Sequence, residues 1–323
     1  MLGHTYPYHD AAQRLEQLAS DRLSSGYISN PLSQYADNPL DDSVVLTTAN
    51  MGDGHTWHLT DTPPNGQPAE EIVFTLQGII MQCDLPPVIR PFVSAKHVQQ
   101  RLLLTGLNTS TFTNALHGLA RVDSMLRQAL REESPRAIAS TTDGYTTLDL
   151  SNRYFTSKRF ANEEHHVGFP NDVDPKGVLA NLRGEAFVHT TDNVVEYYQR
   201  QTNELGQKFK KIQPSLIHKG DIVEVQFTAS LVEHAAGKGR HTNVQHITKL
   251  VLRSITLLDG SFSEARFSFS FKRSRTNSPF QSIRLADSIS SERRAIKRKV
   301  GYTEEETREA EDRIKRMAID RET

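Results

Sequence analysis

Alternation of apolar and polar positions is clearest from Val223 to Leu231. Val223, Val225, Phe227, Ala229 and Leu231 fall on one side of an extended chain, and Glu224, Gln226, Thr228 and Ser230 on the other. A period of two predicts a strand with one buried and one wet face. Strands are also expected at Ser43–Thr48, at Glu71–Cys83, in GYTTLDL, GEAFVHTT and NVVEYYQ, and at Thr248–Leu258. After the Asp259–Ser261 turn, Phe267, Phe269 and Phe271 share a face with Ala265, opposite Arg266, Ser268, Ser270 and Lys272. This predicts a further core strand with an adjoining basic edge.

Between Ser94 and Glu132 the period becomes helical. Ala95, Val98, Leu102 and Thr105 predict one helix ending at Gly106. Phe112, Ala115, Leu116, Leu119, Val122, Leu126 and Leu130 predict a second, capped by Ser110 or Thr111 and closed before Pro135. DLPPVIRPF, Asp84 to Phe92, reads as a linker, because its prolines fit neither a helix interior nor a central strand. The expected fold class is therefore α+β: a helical hairpin plus a small antiparallel β-barrel or sandwich, an OB-like barrel being one arrangement that fits. The expected division is a largely disordered arm over 1–70, a short strand and the hairpin over 71–140, the barrel or sandwich over 141–272, and a basic tail with an exposed terminal helix over 273–323.

Composition adds an asymmetry. The 323 residues have a net charge of −1 and are 37% apolar and 24% charged. Yet Gly206 to Lys299 carries 18 Lys and Arg against 7 Asp and Glu, while Met1 to Leu205 carries 15 against 24. So basic a block points to a polyanion or to the chain's own acidic half. One cysteine, Cys83, permits no internal disulfide and suits a reducing compartment. The opening MLGHTYPYHDAAQ has neither a basic start nor an apolar stretch, so no secretory signal is expected. No run of about 18 apolar residues suggests a membrane span.

Three constellations could carry chemistry. Gln99 to Arg121 resembles a bacterial-type helix-turn-helix, in which Thr111, Thr113, Asn114 and His117 would face bases and Arg121 phosphate. Leu102 and Arg101 depart from that pattern, and a plain helical hairpin accounts for the same residues. The second is the basic β region. Lys238, Arg240 and His241 lie in a glycine-containing connection where an oligonucleotide-binding barrel would close over a single strand, with Lys208, Lys210 and Lys211 upstream and Arg266, Lys272, Arg273 and Arg275 downstream. The third is histidine-based metal binding among His165, His166, His189, His218, His234, His241 and His246. Adjacent histidines on a strand point to opposite faces, which disfavours it. RRAIKRK, Arg293 to Lys299, reads as a nuclear address. No phosphate loop or nucleophile elbow is present, so no catalytic residue, metal or cofactor is expected.

The strings HTTDNVVEYY, GDIVEVQF and LRSITLLDGSF resemble segments of an uncharacterised multi-copy protein family of mushroom-forming fungi, over roughly Gly184 to Phe262. The resemblance implies no activity and no site residue. The residues thus point to a nuclear, salt-sensitive binder of single-stranded DNA or RNA. A protein-interaction β-domain is the second reading, a metal-dependent enzyme the third, and the C-terminal helix is a second surface for a protein partner.

Overall fold

The computed structural model describes residues 2–37, 44–50, 55–61, 69–90, 92, 94–130, 137–161, 165–203, 206–236, 243–263 and 297–322. The chain forms α1 (Tyr8–Ser24), β1 (Val44–Asn50), β2 (His55–Asp61), β3 (Glu70–Glu71), β4 (Phe74–Asp84), β5 (Gln99–Thr105) and α2 (Ser110–Ala129). It continues with β6 (Ala139–Thr142), β7 (Tyr145–Arg153), β8 (Thr156–Ser157), α3 (Val178–Arg183), β9 (Phe187–Val188), β10 (Glu196–Asn203) and β11 (Gly206–Lys211). β12 (Ile222–Ala236), β13 (Asn243–Asp259), β14 (Lys297–Arg298) and α4 (Thr303–Glu322) complete it. No described helix is long and apolar enough to cross a membrane.

Five strands close on themselves. β4 pairs antiparallel with β5 and β12, β5 with β7, and β12 with β13. β13 then returns to β7 in parallel through Leu250 to Leu150 and Val251 to Ser151. Counted along the chain, the ring runs first, second, third, fifth, fourth and back to first, a five-stranded Greek-key barrel. β13 also carries β10 and β11 outward, and β12 carries β2, to which β1 and β3 attach.

The inward positions are Phe74, Leu76 and Ile80, Leu102 and Leu104, Leu148 and Leu150, Val223 through Leu231 in alternation, and Leu250, Leu252 and Ile255. Against this core α2 lays Phe112, Ala115, Leu119, Val122 and Leu126. Burying such side chains contributes roughly 1.5–3 kcal/mol each before the cost of ordering them. Two glycines permit the approach. A Cβ at Gly106 would lie 2.1 Å from Phe112 Cβ, and one at Gly118 would lie 2.1 Å from the Leu32 carbonyl oxygen.

Several expectations change. The residues read as the first helix of a hairpin form β5, held on both edges by β4 and β7. Gly106 therefore opens a strand-to-helix turn, with Leu107 and Asn108 at φ of 48° and 64°. This removes the helix-turn-helix, since its first helix does not exist. Its second half is used internally: Thr111 bonds Glu16, and Arg121 donates to the Ala36 carbonyl at 2.8 Å. Two strands of the barrel, β4 and β5, come from the 71–140 stretch. In place of a disordered arm, residues 8–24 form a helix with Ala11, Leu15, Leu18 and Ala19 buried. GEAFVHTT supplies only the two residues of β9. The phenylalanine stripe at 267–271 lies outside the described residues.

The polar side of β12 is not wet. Glu224, Gln226, Thr228 and Ser230 are all buried, and each has a partner. Glu224 accepts from Arg22 Nε at 3.0 Å, Arg22 Nη2 at 3.1 Å and Gln77 Nε2 at 2.7 Å. The same Nη2 donates to Glu305 of α4 at 2.5 Å. Gln226 bonds Ser254 and both backbone groups of Gly301, and Tyr302 meets Thr256 at 2.7 Å and stacks on Phe209 at 3.7 Å between ring centres. α1 and the segment from Gly301 to Glu305 thus roof this face. The first turns of the terminal helix are docked, and Ile314 farther along is 67% exposed.

Candidate nucleic-acid interface

Among the described residues, the barrel's outer surface is covered except on one side. On β4 the outward Thr75, Gln77, Ile79 and Met81 are buried, the last two beneath Leu2, Tyr6, Leu15 and Leu18 of the N-terminal segment. β6 lies beside β7 only at residues 145–148. Beyond it the outward Gln99, Arg101, Asp149, Ser151, Arg153 and Lys249 of β5, β7 and β13 keep solvent contact. Arg101 and Asp149 face each other across the strands in a forked pair, its Nε bond 2.7 Å long.

The loop between β4 and β5 forms one wall. Val88, Ala95 and Val98 are buried against Tyr154, Phe155 and Leu179, and Val88 N–H donates to the Val173 carbonyl at 2.9 Å. This anchor leaves Ile89 51% and Phe92 47% exposed, with Arg90 exposed between them. An aromatic ring and a guanidinium held open beside a basic strand face suit base stacking and phosphate contact. By its prolines this segment reads as a linker. The signal available was IRPF, a bulky aliphatic, a cation and an aromatic in a segment too short and proline-rich to bury them all.

The structure distributes the sequence-predicted residues unevenly. Lys208, Lys210 and Lys211 are exposed on β11, the edge strand four pairings from β5, so they stand apart from the open face. Lys211 bonds Glu196 at 3.0 Å and lies over the Tyr198 ring. Glu306 and Glu309 of α4 accept from the backbone of Phe209 and Gln207 on the same strand. Lys238, Arg240, His241, Arg266, Lys272, Arg273 and Arg275 lie outside the described residues. Of the basic run read as a nuclear address, Arg298 is paired with Glu71 and Asp192, and Lys299 with Glu70 at 3.0 Å.

The described histidines do not converge, and His241 lies outside the described residues. Among the described residues no three His, Cys, Asp or Glu side chains stand together as a metal site. His189 bonds the Tyr154 carbonyl through Nδ1 at 2.7 Å and stacks on Phe169, and burial pushes it below its ordinary range. His246 packs edge-on against Trp57. Burial and the neighbouring Asp84 and Asp221 push the Cys83 thiol up to about 12, so it is not a nucleophile at neutral pH.

Beneath the β13 side of the face, Glu71 sits among His58, Arg253 and Arg298. Burial alone would raise its carboxyl, but the charges of Arg253, His58 and Arg298 hold it well below the usual range. No protein-family model and no curated protein matches this sequence. A solved structure similar to it is that of gp2.5, a single-stranded DNA-binding protein encoded by bacteriophage T7. The two share 14% identity over 64% of this chain and 99% of that one, at a TM-score of 0.32.

Proposed function

We propose that this protein binds single-stranded nucleic acid across the outer face of β5 and β7. The observation that carries the proposal is the uneven covering of the barrel. Among the described residues packed elements roof the β4–β12 side, whereas the second and third strands of the ring stay open beside the loop bearing Arg90 and Phe92. The connection that joins the fourth and fifth strands, 237–242, lies outside the described residues. Five-stranded barrels of this order present those strands and those two loops to oligonucleotides. Arg101 and Arg153 would track the backbone and Phe92 would stack on a base. Lys238 and Arg240, in the connection between the fourth and fifth strands, are further phosphate contacts on the sequence alone. Nuclear residence through residues 293–299 belongs to the same reading.

The full-length protein titrated into a fluorescent single-stranded oligonucleotide tests this. Binding should appear at low salt and weaken steeply between about 50 and 200 mM salt, as counterion release requires. Anisotropy that stays flat at low salt for both DNA and RNA strands would sink the proposal.

A further inference from the structure

A cavity of about 120 Å³ opens where β13 leaves β7, at one end of the open face. Its walls come from five strands and the turn before β10: Thr56 and His58 on β2, Gln99 on β5, Ser230 and Val232 on β12, Ser151 to Arg153 on β7, Lys249, Val251 and Arg253 on β13, and Asp192 and Asn193. A single water needs roughly 10–15 Å³ of such space, so the cavity has room for several waters, hence for a small polar group. Two wall residues keep polar atoms that nothing in the described structure meets, Nε of Arg253 and Nε2 of His58. Both side chains are almost wholly buried, at 2% and 1% exposure. Leaving such groups unmet costs about 1–3 kcal/mol each, more for a charged one.

The partners already present define what is missing. Arg253 Nη1 donates to the Asp192 carbonyl at 2.9 Å and Nη2 to Glu71 Oε2 at 3.3 Å, leaving the Nε–H as a cationic donor. Glu71 is also met by Arg298, and Asp192 by the same arginine, so the local carboxylates have their counter-charges. The Nδ1 of His58 lies 2.8 Å from Glu71 Oε1 and 2.9 Å from Ser230 Oγ. That nitrogen thus has its partners, and Nε2 is the ring atom left without one. The ligand must therefore present an anionic oxygen to Arg253 and a second polar oxygen to His58. A phosphate monoester carries three such oxygens within one group, whichever side of its second ionisation near pH 6 it is on.

The geometry points to a terminal-phosphate pocket, one that takes a phosphate monoester at a strand end. A mid-strand phosphodiester is flanked by sugars on two sides, so it could not seat against side chains this deeply buried. The inference rests on the reading of the β5–β7 face as a strand-binding surface only for the source of that phosphate. Inorganic phosphate is the other source, and the test separates them.

The experiment measures the full-length protein against oligonucleotides of one sequence bearing a 5′-phosphate, a 3′-phosphate or hydroxyls at both ends, and separately against inorganic phosphate by calorimetry. One phosphorylated end should bind about tenfold tighter than the hydroxyl-ended strand, and millimolar inorganic phosphate should erase that difference. Val232→Phe fills the cavity without touching its charged groups. It should abolish the discrimination and phosphate binding while leaving hydroxyl-ended binding intact. Lys249→Ala, at the wall and on a surface position, should reduce the discrimination in a folded protein. Equal affinity for all ends, or discrimination that survives Val232→Phe, overturns the pocket while leaving the face reading standing. Phosphate binding lost in Val232→Phe, with no strand bound, leaves the pocket standing and removes the face reading.

Discussion

The two outer faces of this barrel carry the same kind of sequence and meet opposite fates. On the β4–β12 side, Gln77, Glu224, Gln226 and Thr228 alternate with core residues and are fully enclosed. On the β5–β7 side, Arg101, Asp149, Ser151 and Arg153 alternate in the same way and keep solvent contact. Alternation reports the pleat, and the pleat does not say what lies above it. What separates the faces is whether a distant segment brings a complementary group. Arg22 of α1, over 200 positions from Glu224, supplies a fork that fits its carboxylate, and Glu305 of α4 closes the other side. No described element does this for β5 and β7.

The largest test of that contrast is Arg22→Met. It leaves Glu224 and Glu305 buried without their shared counter-charge, and breaking a buried pair from one side costs about 3–5 kcal/mol. Urea unfolding should show a lower midpoint with unchanged slope. Adding Glu224→Gln should recover part of the loss, because the two sites are coupled. A loss below about 1 kcal/mol would mean that the covered face is in practice wet.

Acid should separate the faces next. Burial favours the protonated forms of Glu71 and Glu224, yet the arginines beside them hold both carboxyls below their usual 4.5. For a depressed carboxyl, stability is present above the unfolded value and is lost as pH falls through the folded one. Stability should therefore fall away below about pH 4.5. Glu305 lies in the same cluster but is raised by burial, so its protonation does not add to that loss. Glu224→Gln should weaken the protein at neutral pH and flatten part of the acid slope. An acid profile identical to wild type would contradict the assignment.

The contrast also explains what could be read in advance. The strand β12, the β13 strand and the apolar face of α2 followed from period alone, because barrel and helix core positions are set by local geometry. The β5 stretch fits both periods: Leu102 and Thr105, with Val98 just before the strand, suit a helix, Leu102 and Leu104 a strand. Pairing with β4 and β7 decided the matter, as tertiary context overrides a short local preference. α1 was hidden by averaging. A helix with Ala11, Leu15, Leu18, Ala19 and Arg22 on one face stands beside a stretch of Asn, Pro, Ser and Asp, and composition over 70 residues dilutes it. The Glu224–Arg22–Glu305 cluster had no local signal at all, since each member looks like an ordinary surface charge in its own segment. The cavity at His58 and Arg253 is likewise assembled from residues far apart in the chain.

On the open face, Phe92→Ala should leave stability within about 0.5 kcal/mol of wild type, since the ring is 47% exposed. Strand binding should weaken by about 1–3 kcal/mol if a base stacks there. Equal binding by the variant would move the stacking surface off this loop.

The smallest effect concerns the forked Arg101–Asp149 pair, and it discriminates because the two variants should diverge. A partly exposed pair contributes little to folding, so Arg101→Ala and Asp149→Ala should each shift stability by less than about 1 kcal/mol. Binding should split them. Loss of Arg101 removes one phosphate contact and should reduce the slope of log affinity against log salt by about 1. Loss of Asp149 removes a negative charge that both repels a strand and engages the arginine, so affinity at low salt should rise. Were the pair a structural clamp, both variants would weaken binding alike. Opposite signs require the arginine to face the strand, which is the property that sets this face apart from the one that Arg22 closes.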